Sequence, residues 1–120
     1  MIFLSTLLKT VNNITTTNDF LTITNKVPGI FVLLSDLDFS NVSSFIPQVL
    51  NSTFNGNGHT LKNILINTPT TVNGIHYLGV FGKVCQNVTI ENLNLNNVTI
   101  SFESYGTSYN DTVFAGLLAA

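Results

Sequence analysis

Six carboxylates carry all the acid chemistry of this 120-residue chain: Asp19, Asp36, Asp38, Glu91, Glu103 and Asp111. Asp36 and Asp38 stand two apart, so on a strand they share a face and could hold a cation or act as an acid–base pair. Glu91 and Glu103 could flank a second face, as the two carboxyls of a glycosidase must confront each other across a groove. His59 follows Asn57-Gly58 and His76 follows Gly74-Ile75, neither at ligand spacing from another His, Cys or carboxylate. His59 therefore reads as a turn residue. Cys85 is alone, which leaves no internal disulfide and no cysteine-based metal site. Between Val84 and Gln86 it reads as a small buried residue rather than a nucleophile. No serine sits in a nucleophile elbow, and the Gly56-Asn57-Gly58 segment lacks the later glycine and lysine of a phosphate loop. A polysaccharide lyase needs a basic residue to take a proton, and this chain has no arginine and only Lys9, Lys26, Lys62 and Lys83. No catalytic residue, metal site or cofactor is expected.

The same scarcity of cations excludes whole classes of partner. A formal charge of −2 with four lysines offers no basic patch to displace the counterions of a nucleic acid, nor an electrostatic anchor to a membrane surface. No run reaches the roughly 18 apolar residues of a membrane span. The opening MIFLSTLLKT is apolar but short and lacks the flanks of a signal peptide. Hydrophobic residues make up 44% and charged residues 8%, so polarity comes from Asn, Thr and Ser around an ample core.

What must position these groups is a set of short strands. Period-two alternation outweighs helical periodicity. Dense or alternating apolar runs occupy 30–39, 60–66, 77–84 and 87–102, separated by polar loops, chiefly 41–53, 68–76 and 103–112. Asn18 or Asp19 could cap a short helix to about Asn25, ended by Pro28-Gly29. Asn55-Gly56-Asn57-Gly58 is the strongest turn signal, since Asn and Gly tolerate positive φ.

Thr60 to Asn67, TLKNILIN, returns 29 residues later as Thr89 to Asn96, TIENLNLN, and Leu34 to Ser40 is a third copy. Recurrence at this period marks stacked repeats. It predicts a parallel solenoid in which Asp36, Asn63 and Asn92 form one ladder, with apolar columns on either side. Leu34, Leu37, Phe39, Leu61, Ile64, Ile66, Ile90, Leu93, Leu95, Val98 and Ile100 are the expected core. Because the repeat varies Asp36 and Asp38 freely, a structural role is favoured for both. Six N-x-S/T sequons, at Asn13, Asn41, Asn51, Asn87, Asn97 and Asn110, would accept glycans in a secreted eukaryotic chain, although an Asn- and Thr-rich sequence also produces them by chance. Thr89 and Thr99 make no regular T-x-T array, which argues against an ice-binding face.

Several segments together resemble a known family. Phe54-Asn55-Gly56-Asn57-Gly58-His59-Thr60-Leu61-Lys62-Asn63-Ile64 resembles the turn and strand of GLUG-type repeat proteins. Gly79-Val80-Phe81-Gly82 is similar to their G-L-F-G element, Asn87 to Leu93 to the following strand, and Ala115-Gly116-Leu117-Leu118 to the opening of the segment that names the motif. The resemblance covers roughly residues 18–118. Asn55 stands where the family has Asp, and Ala115 where it has the first Gly. It implies a right-handed parallel β-helix of cell-surface and secreted proteins, including adhesins and non-catalytic regions of immunoglobulin-A-specific metallopeptidases. No H-E-x-x-H is present, so no peptidase activity carries over.

The expectation is an all-β chain: a weakly patterned lead-in over 1–17, then about four β-helix coils over 18–120. The apolar C-terminal run reads as continuing into further repeats. The expected role is a non-enzymatic, extracellular stalk or adhesion module. Its partners would be host or cell-surface proteins or glycans, or further copies end to end, with Tyr105 and Tyr109 as contact aromatics. The alternatives are a carbohydrate-binding or carbohydrate-cleaving β-helix, which would use Asp36, Asp38, Glu91 and Glu103, and a viral or phage fibre segment.

Overall fold

The computed structural model describes residues 10–101 and 112–119. Strands dominate: β1 (Val11–Ile14), β2 (Ile30–Leu33), β3 (Leu37–Asp38), β4 (Gln48–Leu50), β5 (Thr53–Asn55), β6 (Thr60–Ile66), β7 (Thr70–Val72), β8 (Ile75–Leu78), β9 (Phe81–Val84), β10 (Thr89–Glu91), β11 (Asn94–Ile100) and β12 (Thr112–Ala115). The helical parts are one turn, α1 (Thr17–Phe20), and a 3-10 turn, Ile23–Lys26. The fold is all-β. The strands fall into four sheets, ordered β1-β2-β5-β10, β11-β6-β3, β12-β8-β7 and β4-β9. Among the described residues every strand pairing is parallel except the β7–β8 hairpin. No solenoid is shown, and the four sheets are not arranged as the expected β-helix coils.

Asparagine makes the corners. Asn57, Asn63, Asn73, Asn87, Asn92 and Asn97 all have positive φ, a region asparagine enters at little cost because its short amide bonds locally. The consequence is clearest in β6. An uninterrupted strand would place Leu61, Asn63 and Leu65 on one face. With Asn63 at φ 59 the chain turns, and Leu61, Ile64 and Ile66 all point inward while Leu65 is exposed. In β11, Asn97 at φ 57 does the same for Leu95, Val98 and Ile100.

This fixes a register that differs from the 29-residue repeat. Leu37, Leu61 and Leu95 stand side by side, 24 and 34 residues apart, and Phe31, Phe54 and Ile90 do so at 23 and 36 residues. The partner of Leu61-Lys62-Asn63-Ile64-Leu65-Ile66 is Leu95-Asn96-Asn97-Val98-Thr99-Ile100. Asn92 resembles Asn63 because both are left-handed corners, yet Asn92 turns the chain between β10 and β11. The longer second interval accommodates the β7–β8 hairpin, which lies in the stretch expected to be a 68–76 loop.

The core is a column of aromatic and aliphatic side chains. Phe20 is its hub, with ring centroids 5.5 Å from Phe81, 5.7 Å from Phe39 and 5.8 Å from Phe54. Each edge or tilted aromatic pair adds about 0.5–1.5 kcal/mol beyond its burial. Phe20 is held there by a reciprocal cap: Asp19 N–H donates to Thr16 Oγ1 at 3.1 Å, and Thr16 N–H donates to Asp19 Oδ2 at 3.1 Å. The cap is therefore Thr16, rather than Asn18 or Asp19. The stretch expected to be an unpatterned lead-in contains β1, paired with β2. Leu34, expected in the core, is exposed, because in β2 the alternation buries Phe31 and Leu33 instead. The expected 41–53 loop contributes buried Phe45 and strand β4, where Gln48 Oε1 accepts from Thr24 N and Oγ1 at 3.0 Å and docks the 3-10 turn. Burial fades toward β10 and β11, whose inward residues Ile90, Leu93, Leu95, Val98 and Ile100 are only partly covered.

Candidate functional site

The titratable groups gather where β3 meets β6. Asp36 lies in the connector between β2 and β3, and Asp38 ends β3. Parallel pairing sets Asp38 beside Lys62, and the same register brings the start of β6 against Asp36. Asp36 Oδ1 accepts from Thr60 N–H at 3.0 Å and lies 3.1 Å from His59 Nδ1. The Thr60 amide, and after it the His59 ring, hold the Asp36 carboxyl below its ordinary range. Asp38 Oδ1 accepts from Asn63 Nδ2 at 3.0 Å and from Ser40 N–H at 2.9 Å. With the Asn63 amide as the main cause, Asp38 is lowered to about 2.

These two carboxyls share no hydrogen-bond partner, although both feel the charge of Lys62. Each serves as an acceptor that ties one segment to the next. A general acid needs its pKa raised toward the working pH, and both shifts run the other way. Glu91 is exposed on β10 beside Asn55, and Glu103 lies outside the described residues, so the expected Glu91/Glu103 flank is not placed. Among the described residues no group of three His, Cys, Asp or Glu side chains could hold a metal ion, and no helix is long and apolar enough to cross a membrane.

The amide ladder is present, with different members. Asn97 Nδ2 donates to Asn63 Oδ1 at 2.8 Å, and Asn63 donates to Asp38, so Asp38, Asn63 and Asn97 form one line across three strands. Asn92 Nδ2 belongs to another corner, donating to Asn55 Oδ1 at 3.4 Å. The expected column of Asp36, Asn63 and Asn92 is divided because each lies at a different corner. The turn residues do as their types suggest: Asn55 Oδ1 accepts from Asn57 N–H at 2.9 Å, and Asn57 and Gly58 take φ of 54° and 80°. Gly56 serves another purpose. A Cβ there would lie 2.5 Å from Asn92 O and 2.6 Å from Leu93 Cα, so its bareness lets the neighbouring strand connection pass.

Beside the ladder runs a shallow groove of about 380 Å³, lined by Ser40, Asn63, Ile64, Leu65, Asn97 and Thr99. A second hollow of about 160 Å³ continues it under Val42, Ser43 and Asn67. The lining mixes amides and hydroxyls with apolar Ile64, Leu65, Phe39, Val42 and Phe45, without a charged group. In the sequence Asn97 stands out only as a sequon and Thr99 only in testing an ice-binding face, and Ser40 is not singled out. The signal that puts Asn97 and Thr99 beside Asn63 and Leu65 is the pair of L-x-N-[I/V]-x-I hexads.

Of the sequon asparagines, Asn13, Asn41, Asn51 and Asn87 are exposed. Asn97 is exposed as well, but its Nδ2, the atom a glycan would take, donates to Asn63. Asn110, Tyr105 and Tyr109 lie outside the described residues. Cys85 is half-buried after β9, its N–H donating to Leu50 O at 3.0 Å.

Comparison with family models, curated proteins and solved structures finds no significant match to this chain. Nothing in these comparisons identifies a GLUG-motif family.

Proposed function

We propose that this chain is a module of an extracellular or cell-surface β-solenoid of the GLUG-repeat kind, non-enzymatic, serving as a stalk or adhesive surface. The observation that carries this reading is the line Asp38–Asn63–Asn97 beside the apolar column Leu37–Leu61–Leu95, crossing three parallel strands separated by 24 and 34 residues. Like side chains over like, in parallel register, are what successive solenoid coils produce. The carboxylates support a structural role, since each is spent on bonds that join neighbouring strands. The β10–β11–β12 side is the surface through which self-association or a further repeat would be made. There Val113, Phe114 and Leu117 are 45%, 48% and 54% exposed.

One second reading has a specific observation behind it. The uncharged groove sets the amides and hydroxyls of Ser40, Asn63, Asn97 and Thr99 beside apolar Ile64 and Leu65, a mixture that suits a neutral glycan. A glycan array paired with a reducing-sugar assay separates the readings. The surface module predicts no sugar release. Release that is lost in Asp38→Asn would overturn it in favour of a carbohydrate-cleaving enzyme. Retention of one neutral glycan class, lost in Asn97→Ala and without release, would assign the groove to binding.

A further inference from the structure

The chain contains three Asn-Gly dipeptides, Asn55-Gly56, Asn57-Gly58 and Asn73-Gly74. Each could in principle deamidate. The main-chain nitrogen of the glycine attacks Cγ of the preceding asparagine, its proton passes to solvent base, and Nδ2 leaves as ammonia. Water then opens the resulting succinimide at either carbonyl, giving aspartate or β-linked isoaspartate. The net change is one amide exchanged for one carboxylate, with water consumed and ammonia released, and no oxidant or cofactor is needed. What differs between the sites is whether the attacking nitrogen is available.

At two of them it is engaged. Gly56 N–H donates to Glu91 O at 2.8 Å, Gly56 is buried, and the Asn55 side chain is held by Asn57 N–H and Asn92 Nδ2. Gly58 N–H donates to Asn92 O at 2.8 Å. The third site is unlike them. Asn73 and Gly74 are the two-residue tip of the β7–β8 hairpin, closed by the Val72–Ile75 pair, with φ of 51° and 78°. Two left-handed positions in a two-residue loop are the turn that Asn-Gly favours. Both residues are exposed, and nothing lies within 4 Å of a Cβ placed on Gly74. Among the described residues, Gly74 N–H makes no backbone hydrogen bond outside the strand ladders. Loop tips of this kind open locally more readily than residues tied into neighbouring strands.

We infer that Asn73 is the site at which the folded protein is spontaneously modified, while Asn55 and Asn57 are protected by the strand connection at Glu91–Asn92. The two products differ in consequence. Aspartate tolerates the left-handed position and leaves the hairpin intact with one added negative charge. Isoaspartate inserts an extra main-chain carbon between the two turn residues, which breaks the two-residue geometry and frees β7 from β8. β8 stays paired to β12, so the loss is confined to the edge of that sheet.

Incubation of the intact chain in mildly alkaline buffer, followed by trypsin and mass spectrometry, tests this directly. Cleavage at lysine puts Asn73 in the 63–83 peptide and Asn55 and Asn57 in the 27–62 peptide. Per asparagine, Asn73 should convert roughly two- to tenfold faster than Asn55 or Asn57, the factor set by breaking one backbone hydrogen bond. Fragmentation should place the change at Asn73. In denaturant the rates should converge, and Asn73→Gly, which keeps a favourable turn, should abolish the signal. Equal rates in the folded chain, or a first modification at Asn55 or Asn57, would overturn the inference.

Discussion

Gly56→Ala is the substitution whose effect the structure fixes most tightly. The new methyl carbon would lie 2.5 Å from Asn92 O, 2.6 Å from Leu93 Cα and 2.7 Å from Leu93 Cβ. Two of these are main-chain atoms, so relief requires the Asn92–Leu93 connection to move as a unit. That motion strains two bonds, Gly56 N–H to Glu91 O and Gly58 N–H to Asn92 O, both 2.8 Å. Overpacking costs about 1–3 kcal/mol and each weakened hydrogen bond about 0.5–1.5 kcal/mol. The expected loss is then about 2–6 kcal/mol, against a total stability of about 5–15 kcal/mol. Gly58→Ala is the internal control. Its Cβ meets nothing within 4 Å, and its only penalty is the φ of 80°, worth about 1–2 kcal/mol. Urea unfolding followed by circular dichroism reads both. Gly56→Ala should be the more damaging. If the two substitutions cost the same, or Gly56→Ala is harmless, then Gly56 is an ordinary turn glycine and the packing of β10–β11 against β5–β6 is wrong.

Three further outcomes follow from the same geometry. Leu61→Ala should cost about 2–5 kcal/mol, since Leu61 is fully buried between Leu37 and Leu95; Leu95→Ala should cost less, because that position is only partly covered, and thermal melts of the two variants give the order. Asp38, lowered to about 2 from 3.8, favours folding in its charged form, so its contribution is complete above the unfolded pKa and is lost as pH falls through about 4 toward 2; a stability–pH profile should be flatter over that window in Asp38→Asn. Thr16→Ala removes the cap that seats Phe20 and should lower stability by about 1 kcal/mol by denaturant titration.

Much of the fold could be read from the residues, and its errors have a physical source. Apolar runs marked the strand 60–66 and one alternating stretch over 87–102, which the structure divides at Asn92 into β10 and β11, and Asn and Gly marked the corners. The chosen repeat aligned Asn63 with Asn92 because both are left-handed corners followed by an aliphatic residue. Side-chain type reports local backbone shape at such a corner, not which corner it is. The pairing of Asn63 with Asn97 was also written in the sequence, as two L-x-N-[I/V]-x-I hexads, but seeing it requires allowing for the hairpin inserted between them. That hairpin had its own signal in Asn73-Gly74. Gly56 was recognised for the wrong reason: its use is close approach to Asn92 and Leu93, which no local pattern reveals. The Asp36–His59 contact joins residues 23 positions apart and depends on register alone.

Disulfide trapping tests that register most directly. With Cys85 replaced by serine, cysteines are placed at Lys62 and Asn96, which lie opposite each other in parallel strands spaced about 4.8 Å apart, well within the reach of a disulfide. Lys62→Cys with Asn96→Cys should oxidise quantitatively under mild conditions, whereas Lys62→Cys with Glu91→Cys should stay reduced. The opposite result, with Lys62 linking to position 91 and not to 96, would restore the 29-residue repeat and contradict the ladder on which this account is built.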